Sequence, residues 1–105
     1  MQVERIKFER TGGFAGIRMA ADLKPEELPE EQARTISALL DDLDFKKLPE
    51  KMMDEKGMPD QFTYTITIQT KDWQHTVMTG ESSAPEKMQE LIQLLNPLTR
   101  TQKKP

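Results

Sequence analysis

The stretch Q-F-T-Y-T-I-T-I-Q-T, residues 61–70, decides the fold that this sequence predicts. Apolar side chains alternate along it with threonine and glutamine, which is the period of a strand that buries one face. The apolar set is Phe62, Tyr64, Ile66 and Ile68. Threonine is common in strands, so the polar positions fit the solvated face of the same strand. The sequence therefore predicts a sheet that is covered on one side.

Further strands are predicted around this one. Residues 2–9 and 14–23 show the same alternation, and residues 75–80 return after a turn as the last strand. Their inward residues are Ile6, Phe8, Ile17, Met19, Ala21, Leu23 and Val77. The pair Gly12 and Gly13 between the first two strands is a hairpin signal, because glycine adopts positive φ without steric cost.

Two helices are predicted between and after these strands. Over residues 30–44, apolar residues recur at the spacing of one helix face. They are Ala33, Ile36, Leu39, Leu40 and Leu43. The second helix is predicted to begin at Ser83, where S-A-P-E places Glu86 at the third helical position of a capping box. Its apolar stripe is Met88, Leu91, Ile92 and Leu95, and Asn96-Pro97 ends it.

The element order is then β-β-α-β-β-α. It predicts an α+β fold of two layers, a four-stranded, mainly antiparallel sheet with both helices on one face. The 105 residues fit one domain, which we assign to residues 1–97. Residues 98–105 are predicted to be a flexible basic tail, because Arg100, Lys103 and Lys104 gather beyond the last helix.

Composition and charge argue against several classes of protein. The chain has no cysteine, which excludes disulfides, thiolate metal sites and cysteine nucleophiles. A net charge of −3 disfavours nucleic acid as a partner. No apolar run approaches the ~20 residues that cross a bilayer, and the N-terminus lacks the apolar core of a signal peptide. We therefore expect a cytoplasmic protein with no membrane partner.

The sequence also lacks the parts of a catalyst. Its single histidine, His75, lies in a predicted strand, where a solvent-facing structural role is the simpler interpretation. A small enzyme that uses His75 with a nearby carboxylate is the alternative. Neither H-E-x-x-H nor a paired ligand spacing is present, and G-G-F-A-G does not match the phosphate-binding G-x-G-x-x-G. We expect no enzyme activity, no metal and no cofactor.

Three features at predicted turns and loops have alternative interpretations. T-G-G-F-A-G, residues 11–16, is either an ordinary hairpin with Phe14 packed inward or a slim tip with Phe14 as an anchor for another surface. Trp73 in the other hairpin turn either folds back onto the sheet or contacts a partner. The loop methionines either fill the core or form an adaptable contact surface. They are Met52, Met53 and Met58.

Four blocks of sequence are informative together. They are F-E-R-T-G-G-F-A-G-I at residues 8–17, L-D-F-K-K-L-P at 43–49, P-D-Q-F-T-Y-T-I-T at 59–67 and H-T-V at 75–77. In this order and spacing they resemble the emfourin family, small bacterial inhibitors of protealysin and related thermolysin-like metalloproteases. The resemblance implies a cytoplasmic protein that binds the folded protease reversibly and blocks its cleft. We expect it to be a monomer when free.

The resemblance leads to a hypothesis about the protease contact. If the strand at residues 61–70 runs parallel to the second strand, the tip at 11–14 and the loop at 52–60 share one end of the sheet. Phe14 or a methionine would imitate the bulky apolar side chain that thermolysin-like enzymes favour, and Asp60 would approach the zinc or a cleft arginine. The predicted partner-binding set is Thr11, Gly12, Gly13, Phe14, Asp60 and Trp73. The alternative function is a non-enzymatic interaction module that binds a different protein partner through the same end or through a sheet edge.

Overall fold

The alternating stretch of the sequence forms one of the two central strands of a sheet. The computed structural model describes residues 3–12, 18–52, 62–80 and 83–101. In chain order they form β1 (Val3–Gly12), β2 (Met19–Leu23), α1 (Glu30–Leu43), β3 (Lys51–Met52), β4 (Phe62–Thr70), β5 (Gln74–Gly80), α2 (Glu86–Leu95) and β6 (Arg100–Thr101). Short 3₁₀ turns lie at Pro25–Glu27, Phe45–Lys47 and Asn96–Leu98.

These strands form one sheet in the order β3-β5-β4-β1-β2-β6. Neighbouring strands are antiparallel except for β3 and β5, which are parallel. The predicted α+β class is therefore confirmed, but the predicted strand number is not, because two short strands, β3 and β6, extend the sheet at its edges. Each has only two residues. A strand of that length cannot show an alternating pattern, so the sequence predicts only the four long strands.

The core lies between the sheet and the two helices. Ile6 and Phe8 of β1 and Ile66 and Ile68 of β4 are buried on the face that the alternation predicts. The helices add Ile36, Leu39, Leu40, Met88, Leu91, Ile92 and Leu95 to the same apolar cluster. Because residues of both helices and of the strands share this one cluster, both helices cover the same side of the sheet. Full burial of a large apolar side chain contributes roughly 1.5–3 kcal/mol to stability.

The other sheet face carries threonines and charged side chains. Thr67 and Thr76 lie opposite each other, and their Oγ1 atoms are 2.8 Å apart. On β1 and β2, Arg5 Nε donates to Asp22 Oδ1 at 2.7 Å. This hydrogen bond from the guanidinium lowers the pKa of Asp22 below its usual value of 3.8. Cross-strand polar pairs of this kind stabilise the uncovered face of the sheet.

The second helix begins later than the sequence predicts. α2 starts at Glu86, Pro85 is its N-cap residue, and no side chain makes a cap hydrogen bond there. The predicted capping box at Ser83 is wrong, because the residue before a proline is disfavoured in the helical region. Ala84 therefore lies outside the helix, and the Ser83 hydroxyl forms hydrogen bonds with Met52 and Gly80 instead.

The first residues after α2 are not the free tail that the sequence predicts. Leu98 packs against the core, and Arg100 and Thr101 pair with Ala20 and Met19 of β2. The first residues of the predicted tail are therefore part of the fold, while residues 102–105 lie outside the described part of the chain. No helix in the described ranges combines the length and the apolar character needed to cross a bilayer.

Candidate functional site

Several strand ends meet at one end of the sheet, and five of them define what we call the loop end. It comprises the terminal residues Gly12 of β1, Met19 of β2, Met52 of β3, Phe62 of β4 and Gly80 of β5. Gly12 pairs with Phe62, and the next residue of β4 pairs with Gly80. The residues that flank 13–17 and 53–61 therefore lie at the same end of the sheet.

Two members of the predicted partner-binding set lie at the loop end. Thr11 is half-buried and pairs with Thr63 of β4. Gly12 is exposed and has φ 91°, a conformation that glycine adopts without a clash from Cβ. The predicted residues Gly13, Phe14 and Asp60 lie outside the described residues, and so do Met53 and Met58.

The remaining predicted residue, Trp73, lies at the opposite end of the sheet. It follows β4, whose nine residues span about 27 Å at ~3.4 Å per residue. Trp73 is half-buried and packs against the core. Thr70 organises this turn, because its Oγ1 accepts the N–H of Trp73 at 3.1 Å while its own N–H donates to the Trp73 carbonyl at 2.8 Å. The structure therefore does not bring Trp73 together with Thr11 and Gly12.

Arg10 is a charged side chain on the covered face at the loop end. It shares the parity of the buried Ile6 and Phe8. Its guanidinium carbon lies 4.7 Å from the centre of the Phe62 ring, which is within the range of a cation–π contact. Nη1 donates to Asn96 Oδ1 at 2.9 Å, while the buried Nε has no hydrogen-bond partner within the described residues. Arg10 thus ties the end of β1 to β4 and to the end of α2.

The carbonyl of Met52 is fixed by two hydroxyl groups. Ser83 Oγ donates to it at 2.7 Å, and Thr79 Oγ1 lies 3.4 Å away. Ser83 Oγ also accepts the N–H of Gly80 at 3.1 Å. One serine hydroxyl therefore connects the end of β3 to the end of β5, at the last described residue before 53–61.

His75 has a structural environment, but it is half-buried on the covered face of β5 and does not face solvent as the sequence predicts. Its Nε2 donates to the carbonyl of Leu48 at 2.7 Å, and its ring meets Phe45 edge to face with 5.8 Å between the ring centres. These contacts hold the segment after α1 against β5. Within the ranges that the structure describes, no group of three or more histidine, aspartate and glutamate side chains could hold a metal ion.

The sequence pattern did not single out Arg10 or Ser83 as site residues. For Arg10 a signal existed, because a charge at the inward parity of a strand requires a polar or aromatic partner. For Ser83 the local sequence was misleading, since S-A-P-E is also the pattern of a helix cap. Its partners on β3 and β5 are distant in sequence and follow only from the topology.

A protein-family model described as Emfourin matches residues 8–96. The match covers most of the chain and agrees with the resemblance found in the sequence blocks. No curated protein and no solved structure matches the chain.

Proposed function

The chain belongs to the emfourin family, a family of protease inhibitors, and on that premise we propose that it inhibits a thermolysin-like zinc metalloprotease of the protealysin type. In this proposal the folded protein binds reversibly and occupies the active-site cleft of the enzyme. The family membership carries the proposal. The protein and its protease would be bacterial and would meet in the cytoplasm.

We propose the loop end as the surface that enters the cleft. Thr11 and Gly12 belong to it, and Gly13, Phe14 and Asp60 follow or precede strand ends that lie there. The convergence of five strand ends supports this choice, because binding residues are often carried by connections that a rigid scaffold positions. Trp73 would belong to a separate contact about 27 Å away along β4.

In the proposed contact the inhibitor contributes shape and charge and takes part in no chemical step. Phe14 would fill the pocket that receives a bulky apolar side chain beside the scissile bond. The carboxylate of Asp60 would approach the zinc or a cleft arginine, both of which attract an anion. The strand ends that flank these residues are paired within the sheet, and groups that are already ordered lose little conformational entropy on binding.

The decisive experiment titrates a thermolysin-like protease with the protein and follows hydrolysis of a peptide substrate. We expect inhibition that saturates at one inhibitor per enzyme, with a complex on a sizing column. Phe14→Ala should raise the inhibition constant by about thirtyfold, as for a central interface residue. Asp60→Asn should weaken inhibition by about tenfold.

Matched controls lie elsewhere on the sheet. Asp22→Asn makes the same change as Asp60→Asn at an exposed position near the end of β2 that is far from the loop end. Met78→Ala removes an exposed apolar side chain from the uncovered face. Neither should change the inhibition constant by more than about twofold. Full protease activity with no complex would reject the proposal and favour an interaction module with a different partner, whereas folded Phe14→Ala and Asp60→Asn variants with unchanged inhibition would move the contact away from these two residues.

A further inference from the structure

We propose that Ser83 is a positioning residue, whose hydroxyl fixes the chain at the Met52 carbonyl and so maintains the shape of the loop end that binds the protease. The inference rests on the proposed function. It concerns a residue that the sequence assigns to a helix cap and that lies outside the predicted partner-binding set.

The hydrogen-bond geometry shows which contact dominates at Ser83. A serine hydroxyl has one proton to donate and can also accept. Its oxygen is 2.7 Å from the Met52 carbonyl but 3.4 Å from the Gly80 carbonyl, so the proton is shared best with Met52. The Gly80 N–H then donates to the same oxygen at 3.1 Å. Donor and acceptor roles of the hydroxyl are both used, one on each strand.

The neighbouring hydroxyl of Thr79 is a weaker tether. It is fully buried, and its Oγ1 lies 3.4 Å from the Met52 carbonyl and 3.3 Å from the Gly80 carbonyl. One proton cannot serve both carbonyls at once, and both distances are long for a hydroxyl donor. Ser83 therefore provides the main side-chain attachment of the Met52 carbonyl.

β3 needs such a tether because it is short and lies at the sheet edge. It pairs with β5 over only two residues, Lys51 and Met52. The N–H of Met78 donates to the Glu50 carbonyl at 2.8 Å, which holds the upstream end of the pair. Ser83 holds the downstream end. Without its hydroxyl, the carbonyl of Met52 would keep only its place in the short pairing with β5 and the long contact to Thr79.

Loss of this tether should affect binding more than global stability. Ser83 is half-buried, and a side-chain hydrogen bond has a modest net effect, roughly fivefold in an equilibrium constant. A looser Met52 carbonyl must be reordered when the loop end binds, and that ordering reduces the affinity. The effect therefore appears in the inhibition constant and in local exchange at Gly80.

The test compares Ser83→Ala, Ser83→Thr and Thr67→Val. Ser83→Ala removes the hydroxyl, and Ser83→Thr keeps it. Thr67→Val removes a hydroxyl from the uncovered face, where Thr67 contacts Thr76 at 2.8 Å, and serves as the matched control. Three quantities are measured for each variant: the inhibition constant against a thermolysin-like protease, amide hydrogen exchange at Gly80 in the free protein, and unfolding in urea.

Ser83→Ala should raise the inhibition constant by roughly five- to tenfold and should speed exchange at Gly80. Ser83→Thr should restore both the inhibition constant and the exchange rate at Gly80. Thr67→Val should change neither of these two quantities, although its urea midpoint should shift by about as much as that of Ser83→Ala. A purely structural role would move the urea midpoint of Ser83→Ala and leave the inhibition constant equal to that of Thr67→Val.

The outcomes distinguish failure of the Ser83 role from failure of the proposed function. Inhibition by the wild-type protein together with unchanged inhibition by folded Ser83→Ala would overturn the role of Ser83 alone. Absence of inhibition by the wild-type protein would overturn the proposed function and this inference with it. If Ser83→Ala does not fold, Ser83→Cys replaces it, because the thiol is a weak donor of similar size, and inhibition equal to that of wild type would again overturn the role.

Discussion

Arg10 is the residue whose environment gives the sharpest stability prediction. A cation in an inward position is stabilised here by the Phe62 ring and by Asn96. Arg10→Lys keeps the charge but loses the planar guanidinium. The compact ammonium cannot contact the Phe62 ring and hydrogen-bond the Asn96 amide at the same time. We expect the free energy of unfolding to fall by about 1–2 kcal/mol, measured by urea denaturation.

The control for Arg10 is Arg34→Lys on the exposed side of α1. Arg34 pairs with Glu30 one turn away, and its side chain is 77% exposed. Exposed pairs of this kind contribute little, so we expect a change of less than about 0.5 kcal/mol. Equal effects at the two sites would mean that Arg10 behaves as an ordinary surface residue.

Asp22 gives a prediction about pH. The hydrogen bond from Arg5 lowers its pKa in the folded protein below the usual 3.8. A carboxyl group with a lowered folded-state pKa stabilises the fold above its unfolded-state pKa, and this contribution is lost as the pH falls through the folded-state value. The difference in unfolding free energy between wild type and Asp22→Asn should therefore be constant near neutral pH and should shrink below about pH 4.

The comparison variant for Asp22 removes the other partner. Arg5→Gln in the Asp22→Asn background should add no further pH dependence, because the pair is already broken. Urea denaturation at several pH values measures both variants. A gap between wild type and Asp22→Asn that grows on acidification would contradict the assigned direction of the pKa.

At the residue scale, alternation predicted burial well and polar partners poorly. Ile66 and Ile68 are buried where the pattern places them. The position of a side chain on a strand follows from parity, which is a local property of the chain. The partner of Arg10 or of Ser83 depends on which strand lies beside it, and no local pattern contains that information. Three of the six predicted site residues, among them Phe14, also lie outside the described residues, so their roles stay predictions.

At the element scale, the end of α1 provides a direct test of helix termination. Asp44 follows Leu43 with φ 51° and ψ 55°, the left-handed conformation that glycine adopts most easily. Asp44→Gly should therefore raise the free energy of unfolding by about 0.5–1 kcal/mol. Ala38→Gly, at an exposed position inside the same helix, should lower it by about 1 kcal/mol.

The opposite signs of these two glycine substitutions are the informative result. Both variants gain the same freedom in the unfolded chain, so the difference between them reports the folded conformation. Thermal or urea unfolding measures both. A destabilised Asp44→Gly would mean that the Asp44 carboxylate, 3.6 Å from Lys47 Nζ, contributes more than the left-handed backbone costs.

The long elements were predictable and the short ones were not. α1 begins at Glu30 and β4 ends at Thr70, both as the patterns predict. Helices and long strands have enough residues to repeat a period, whereas β3 and β6 exist only because neighbouring strands offer free edges. Their formation depends on tertiary contacts, and for that reason the sequence predicted four strands.

At the scale of the whole molecule, the hypothesis of a shared end was correct for the residues that flank both connections. β2 and β4 each run antiparallel to β1 and therefore parallel to each other, although β1 lies between them. The hypothesis assumed this parallel direction, on the ground that a helix between two strands usually forms a crossover connection. The insertion of β1 between the two parallel strands required a knowledge of strand order, which the sequence did not provide.

The boundary of the folded domain gives the last prediction. The sequence placed it at residue 97, but Leu98 packs against the core and Arg100–Thr101 pairs with β2. Truncation after Pro97 should therefore lower the free energy of unfolding by about 1–3 kcal/mol, mainly through the loss of the half-buried leucine. Truncation after Thr101 should change it by less than about 0.5 kcal/mol. Urea denaturation of the two truncated proteins and wild type measures the effect.

The same pair of truncations connects the domain boundary to the proposed function. Thr101 pairs with Met19, which is part of the loop end, so removal of β6 frees the edge of β2 next to the proposed contact surface. We therefore expect the shorter protein to inhibit less well than the protein that ends at Thr101, even below the temperature at which either unfolds. Equal stability and equal inhibition by the two proteins would place the functional boundary at residue 97, because β6 would then contribute neither to the fold nor to the contact.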